Sequence, residues 1–301
     1  MRPMRFKLFS LSTPLRALSV VGMLSCWSLL AQTHNDPVYL NLGYYSPATL
    51  KNTELQSPLR YLDAALVLPE WKWSDKTRIY LQLSYKLYSY DFTSTWLDKQ
   101  NLTDARAGFI LRHNFSEQYE LLFLPRLHLR TNFADHWQKR SFFPSFSGIL
   151  LRHAPKISQL TYGLGLSLNN DLNRNSILPL AFLTYQTDRF RVNAIIPVYV
   201  YVTWMAMDKK LEYGWATVFD AQILYAPIET GTYLKTRNIL LGPAVSYAVT
   251  PKGWINVKSG WSAFRNFEVL DDQFQTLSHY ENQKLSTAFF VTLGWSWRLG
   301  N

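Results

Sequence analysis

The stretch LTDARAGFILRHNFSEQYELLFLPRLHLRT, residues 102 to 131, constrains the fold more than any other part of the chain. Thr103, Ala105, Ala107, Phe109 and Leu111 are small or apolar, whereas the intervening positions include Asp104, Arg106 and Arg112. After a break at Ser116, Glu117 and Gln118 the alternation resumes. Tyr119, Leu121, Phe123, Leu127 and Leu129 share one face, and Glu120, Arg126, His128 and Arg130 share the other. A period of two means strand, because successive side chains of an extended chain point to opposite faces. Two such runs around a short polar break make an antiparallel hairpin with one greasy and one charged face. Each run is about 11 to 13 residues, the length at which a tilted strand crosses a bilayer's hydrocarbon core.

The same alternation recurs. In Thr77 to Tyr90, Ile79, Leu81, Leu83, Tyr85 and Leu87 oppose Tyr80, Gln82, Ser84, Lys86 and Tyr88. In Gln159 to Asn169, Leu160, Tyr162, Leu164, Leu166 and Leu168 oppose small or polar residues. Phe190, Val192, Ala194 and Ile196 repeat the scheme, and so do Phe289, Val291, Leu293, Trp295 and Trp297. GFILRHNFSEQYELL, GILLRHAPKISQLTY, LAFLTYQTDRFRVNA and PAVSYAVTPKGWINV each run a strand into a short polar turn and back. At the opposite ends the connections are longer: DFTSTWLDKQN, NFADHWQKRSF, NNDLNRN and the residues from Arg265 to Leu285. Short turns on one side and long loops on the other are the asymmetry of outer-membrane barrels. With Val38 to Tyr45 as the first strand and Pro197 at a hairpin tip, about fourteen strands fit, an even number with both termini on the short-turn side. Twelve is the alternative, because Pro125, Pro179 and Pro243 lack a ladder donor and belong at bulges or strand ends.

Ahead of the first strand, Arg2, Arg5, Lys7 and Arg16 precede an apolar run from Ala17 to Ala31 and then AQTHNDP. That order describes a secretory signal peptide, residues 1–32, cleaved near Ala31 or Gln32. The run is too short for a spanning helix, and no later run is long enough. Residues 33–301 then form one barrel domain. Met23, Leu24, Ser25 and Cys26 loosely resemble a lipoprotein cleavage box, but the apolar run continues past Cys26, where a lipid-modified cysteine would end it. If the leader is removed near Ala31 or Gln32, the mature chain carries no cysteine and no disulfide. Loss of the four leader cations takes the formal charge from +10 to +6. A basic excess of this size, spread through alternating strands, does not suggest nucleic acid binding.

The segment GLGLSLNNDLNRNSILPLAFLTYQTDRFRVNAIIP, followed by MDKKLEYG, YAVTPKGWINVKSGW and the terminal FFVTLGWSWRLG, resembles a family of bacterial outer-membrane β-barrels catalogued as a domain of unknown function. The likeness covers most of the mature chain through strand spacing and words such as ILPL. It implies an antiparallel transmembrane β-barrel in a Gram-negative outer membrane and assigns no functional residue. One departure is the C-terminus, where Trp297 is followed by Arg298, Leu299, Gly300 and Asn301 rather than closing the chain on an aromatic.

The candidate site is the charged inner face of the first hairpin. A turn pairing Phe115 with Tyr119 places Arg106 opposite His128, Gly108 opposite Arg126, and Asp104 opposite Arg130. With Arg112, Arg152, Arg189, Arg191 and Lys258, these residues describe a basic constriction that selects small anionic solutes. In a narrow barrel the same residues also suit ion pairs with Asp63, Asp104, Glu120, Glu212 and Asp220 that fill the lumen. Trp71, Trp73, Trp204, Trp254, Trp295 and Trp297 near strand ends are expected in aromatic girdles at the interfaces.

His34, His113, His128, His136, His153 and His279 show no metal-ligand spacing, so neither a metal nor another cofactor is expected. His113, Asn114 and Ser116 are too local to a turn to suggest a hydrolase, and Glu268, Asp271 and Asp272 read as a solvated acidic loop. The expected function is a narrow channel or transport-related pore, not an enzyme, with a basic-leaning lumen. The alternative is a plugged barrel that binds partners through its extracellular loops. Either would contact outer-membrane lipid, lipopolysaccharide and the barrel-assembly machinery.

Overall fold

The computed structural model describes residues 36–49, 56–91, 100–132, 139–155, 157, 159–169, 176–228, 231–277 and 283–298. The leader, its cleavage site and Cys26 lie outside the described residues, as do His34, His136 and His279.

The alternating segments all become strands, in chain order β1 (Val38–Thr49), β2 (Gln56–Val67), β3 (Trp71–Lys72), β4 (Thr77–Tyr90), β5 (Gln100–Asn114), β6 (Tyr119–Thr131), β7 (Phe142–His153) and β8 (Leu160–Asn169), then β9 (Ser176–Gln186), β10 (Phe190–Ile196), β11 (Tyr199–Ala206), β12 (Leu211–Ile228), β13 (Gly231–Ala248), β14 (Gly253–Leu270), β15 (Gln283–Lys284) and β16 (Ala288–Trp297). Two of these, β3 and β15, are two-residue pieces on the margins. The other fourteen pair antiparallel, each with the next, and β16 pairs with both β14 and β1, so the sheet closes. Closure pairs the first strand with the last, the condition for a sheet to stand in hydrocarbon, although individual ladders differ in length around the ring.

The first hairpin pairs as its turn requires: Asp104 with Arg130, Arg106 with His128, and Gly108 with Arg126. Ser116 Oγ accepts the backbone N–H groups of Gln118 and Tyr119, which fixes that turn. Leu40, Leu42, Phe109, Leu127, Leu150, Leu164, Leu166 and Leu293 are exposed on the outer wall. Their neighbours one residue along line the interior.

The three prolines do not sit as expected. Pro125, Pro179 and Pro243 lie within β6, β9 and β13 rather than at strand ends. The β5–β6 ladder skips a stretch beside Pro125, and the β13–β14 ladder skips one beside Pro243, which accommodates the missing donors. Pro179 pairs with Leu166 of β8, but β10 stops pairing with β9 at Ala181, so among the described residues its other side has no strand to serve. The supposed loop from Arg265 also begins as strand, because β14 continues to Leu270.

Strand length varies around the barrel. β10 and β11 have 7 and 8 residues, whereas β12, β13 and β14 have 18 each. At about 3.3 Å per residue and a tilt near 40°, the long strands climb roughly 45 Å, some 20 Å more than a ~25 Å apolar band needs. That excess folds inward across the mouth at the loop end. Leu224 and Leu234 of β12 and β13, with Phe267 and Val269 of β14, pack against Tyr45, Leu59, Tyr88, Tyr90, Leu102 and Phe290 on the inside of the wall. On the far side of the fold-over, Ile223, Tyr225, Tyr233 and Leu270 meet Phe143 of β7 and Phe274. β12 consequently touches β5 and β6, strands that are not its neighbours in the sheet. Burying each large aliphatic side chain contributes roughly 1.5–3 kcal/mol, so the closure is a packed part of the fold.

Candidate functional site

Beneath the inward-folded strands lies a lumen cavity of about 960 Å³. One wall is charged: Lys86, Arg106, Arg126, His128 and Asp220, with Ser145 and Ser147 between them. The other is apolar. Ile149, Leu151, Leu180 and Phe182 form a cluster there, joined by Leu122, Leu178 and Ile195.

Asp104 is the hub of the charged wall and is fully buried. Its Oδ2 accepts from Arg106 Nε at 2.9 Å and Nη2 at 2.7 Å, and from Arg130 Nε at 3.2 Å. Its Oδ1 lies 3.2 Å from His128 Nδ1, while His128 Nε2 is 3.0 Å from Ser145 Oγ. Nearer the short turns, Glu120 is paired with Arg112, whose Nη2 donates at 2.8 Å, and lies 3.3 Å from His153 Nε2. Lys86 lies between Asp63 at 3.9 Å and Asp220 at 3.6 Å. Glu212 joins Arg191 at 3.2 Å to Arg298 at 2.9 Å. All five acids considered as lumen partners are therefore in ion pairs. Two of the supposed constriction cations are elsewhere: Arg152 is exposed and stacks on the Tyr119 ring at 5.7 Å, and Arg189 is exposed in a turn. Arg152 falls on the outward parity of β7, which residue type alone does not reveal. Lys258 is inside, donating to Tyr201 Oη at 3.0 Å.

Trp71, Trp73, Trp204 and Trp295 are exposed at the short-turn end, and Trp297 lies 6.2 Å from Trp295. Trp254 does not belong to a girdle. It is 6% exposed, points inward, and carries the Arg298 guanidinium 3.9 Å above its ring. Its even parity on β14 puts it with Asn256 and Lys258. Toward the opposite end the aromatics exposed on the outer wall include Tyr44, Phe142, Phe146, Trp261 and Phe289.

His113 Nδ1 is 2.8 Å from Thr77 Oγ1, and Ser116 serves its own turn, so the local serine and histidine are not a nucleophile and its base. No cluster of three metal-ligating side chains occurs among the described residues.

The apolar wall is what sequence reasoning missed. Its signal was the loss of alternation in ELLFLP of β6 and ILPLAFL of β9, where both parities are apolar. Outward apolarity accounts for one parity only, so the other marks an apolar interior.

A closed sheet with an apolar outer wall and a lined interior defines a membrane-spanning β-barrel. The chain belongs to the family described as Domain of unknown function (DUF6268), whose model matches residues 36–298. No match is found among curated proteins. Among solved structures, an outer-membrane channel from Pseudomonas putida F1 is 10% identical with a TM-score of 0.40, over 90% of this chain and 97% of that one. A mutant of the TodX monoaromatic hydrocarbon channel is 9% identical with a TM-score of 0.45, over 86% and 89%. LpxR from Salmonella typhimurium is 7% identical with a TM-score of 0.32, over 85% and 99%.

Proposed function

We propose that this protein is a transport-related barrel of a Gram-negative outer membrane, holding a small amphipathic molecule with an apolar body and an anionic end. Short turns face the periplasm and the folded-over mouth faces outside, as the loop asymmetry of such barrels suggests. Its outer wall contacts lipid and lipopolysaccharide, and the barrel-assembly machinery inserts it.

The observation that carries this reading is the divided lining of the ≈ 960 Å³ cavity. Small-molecule sites span roughly 300–1,000 Å³ and combine apolar walls with a few placed polar groups. An apolar body gains by covering Leu180, Phe182 and their neighbours. An anionic end finds cations on the opposite wall, where Lys86, Arg106 and Arg126 reach the cavity. The inward fold of β12 to β14 supports a lumen covered at the loop end, and in this reading the basic residues act as a recognition wall rather than as a filter.

The reading is tested by titrating the refolded barrel, in a fluorinated detergent, with anilinonaphthalene sulfonate, an apolar ring system bearing one anionic group. Saturable, one-to-one binding weakened about tenfold by Leu180→Asp is expected, since a carboxylate in the apolar wall costs at least 1–2 kcal/mol of ligand contact. Absence of saturable binding would favour the plugged barrel that acts through its loops.

A further inference from the structure

We propose that the barrel wall is open sideways between β9 and β12, and that this gap is the route by which an amphipathic molecule passes between the outer leaflet and the lumen. The inference rests on the reading of the cavity above and adds the source of its occupant.

The gap follows from the pairings. β10 pairs with β9 only from Gln186 to Ala181, and β11 pairs with β12 only from Leu211 to Val218. The β10–β11 hairpin turns at Pro197 and Val198, and Phe219 N donates to the Val198 carbonyl at 2.9 Å. Above that bond, among the described residues, no strand joins β9 to β12. β12 instead departs inward to close the mouth, with Leu224 packed among Tyr45, Leu59 and Tyr88. One departure both covers the lumen and breaches the wall.

The height of the sill decides what lies outside it. Seven tilted residues of β10 climb roughly 18 Å, short of a ~25 Å apolar band, so the sill stands inside the hydrocarbon. Its chemistry agrees. Ile177 is 70% exposed and Ile196 53%, while Leu178, Ile195 and Val198 line the cavity. An apolar surface thus runs from the outer wall over the sill into the lumen. Unpaired backbone is tolerated at membrane depth only beside protein or a cavity, and a proline has one fewer group to satisfy. Pro179 occupies the unpaired length of β9, where an ordinary residue would present an unmet N–H.

The test places bimane on single cysteines in the full barrel reconstituted in vesicles of a dibrominated oleoyl phosphatidylcholine, whose bromines quench from within the acyl chains. Leu178→Cys probes the lumen side of the gap, Val198→Cys the sill, Leu164→Cys the outer wall and Ser147→Cys the lumen behind fully paired strands. The Leu178 and Val198 probes are expected to lose roughly half their fluorescence, as the Leu164 probe does, while the Ser147 probe keeps its own. Should Leu178 and Val198 be spared along with Ser147, the wall is closed and the inference is overturned. The sulfonate titration remains separate: binding with a sealed wall means entry from one end, and lipid contact without binding removes the cavity's occupant but keeps the opening.

Discussion

Arg130 Nη1 donates to the carbonyl oxygen of Ile223 across 3.3 Å, joining β6 of the wall to β12 where β12 has left the wall. The same guanidinium donates through Nε to Asp104 and stacks 5.4 Å from the Phe143 ring. The ion-pair hub of the lumen and the bond that ties the inward-folded β12 to the wall therefore share one side chain.

Removing the hub should unfold more than it repels. Asp104→Ala leaves Arg106, Arg130 and His128 facing one another in a buried space. Breaking a buried pair costs on the order of 3–5 kcal/mol. The urea midpoint of the refolded barrel should fall accordingly. An unchanged midpoint would mean that Asp104 contributes no stability to the wall.

A second test concerns the wall's faces. Leu164 is 74% exposed on the outer wall, whereas Thr161 lines the cavity, its Oγ1 3.0 Å from His153 Nδ1. Leu164→Arg should cost roughly 2–4 kcal/mol of insertion, and Thr161→Arg far less. Folded yield in vesicles, read by heat-modifiable gel mobility, separates the two. Equal yields would mean the faces are wrongly assigned.

Gly43 lies under the Tyr61 ring, where an added Cβ would come 1.8 Å from Tyr61 Cε1. Tyr61 Oη meets Thr292 Oγ1 at 2.6 Å, bridging β2 to β16 across β1. Gly43→Ala should push the ring away and break that bridge, lowering stability by about 1–3 kcal/mol. Tyr61→Phe, which keeps the ring, should cost only the hydrogen bond, about 1 kcal/mol. Urea midpoints in the opposite order would contradict the packing.

Charge in the lumen should matter to an anionic occupant. Arg126 reaches the cavity opposite the apolar wall. Arg126→Glu should weaken anilinonaphthalene sulfonate binding about tenfold, a difference near 1.4 kcal/mol. Its effect should shrink in high salt as screening grows. An affinity insensitive to both the substitution and salt would remove Arg126 from the recognition wall.

Much of this architecture was legible in the sequence, because a barrel strand announces itself by parity. The register of the first hairpin followed from its turn, and the alternation of Leu160 to Leu168 marked an outer wall. What escaped was whatever parity does not encode. Trp254 and Trp295 are both tryptophans near strand ends, yet one faces Arg298 inside and the other faces outward. The inward fold of β12 to β14 depends on clusters that gather residues remote in the chain, Leu224 with Tyr88 in one and Ile223 with Phe143 in the other. Local pattern carries no record of them. Sequence alone places Pro179 at a bulge or a strand end; it fits instead an unpaired length of strand that the neighbouring short hairpin creates.

The closed mouth is the claim on which the rest depends, and single-channel recording under a salt gradient tests it directly. The refolded barrel should insert into a planar bilayer without passing a steady current. The doubly unlatched variant, Arg130→Ala with Phe143→Ala, should show discrete openings. Steady conductance from the unaltered chain, matching that of the variant, would contradict the account.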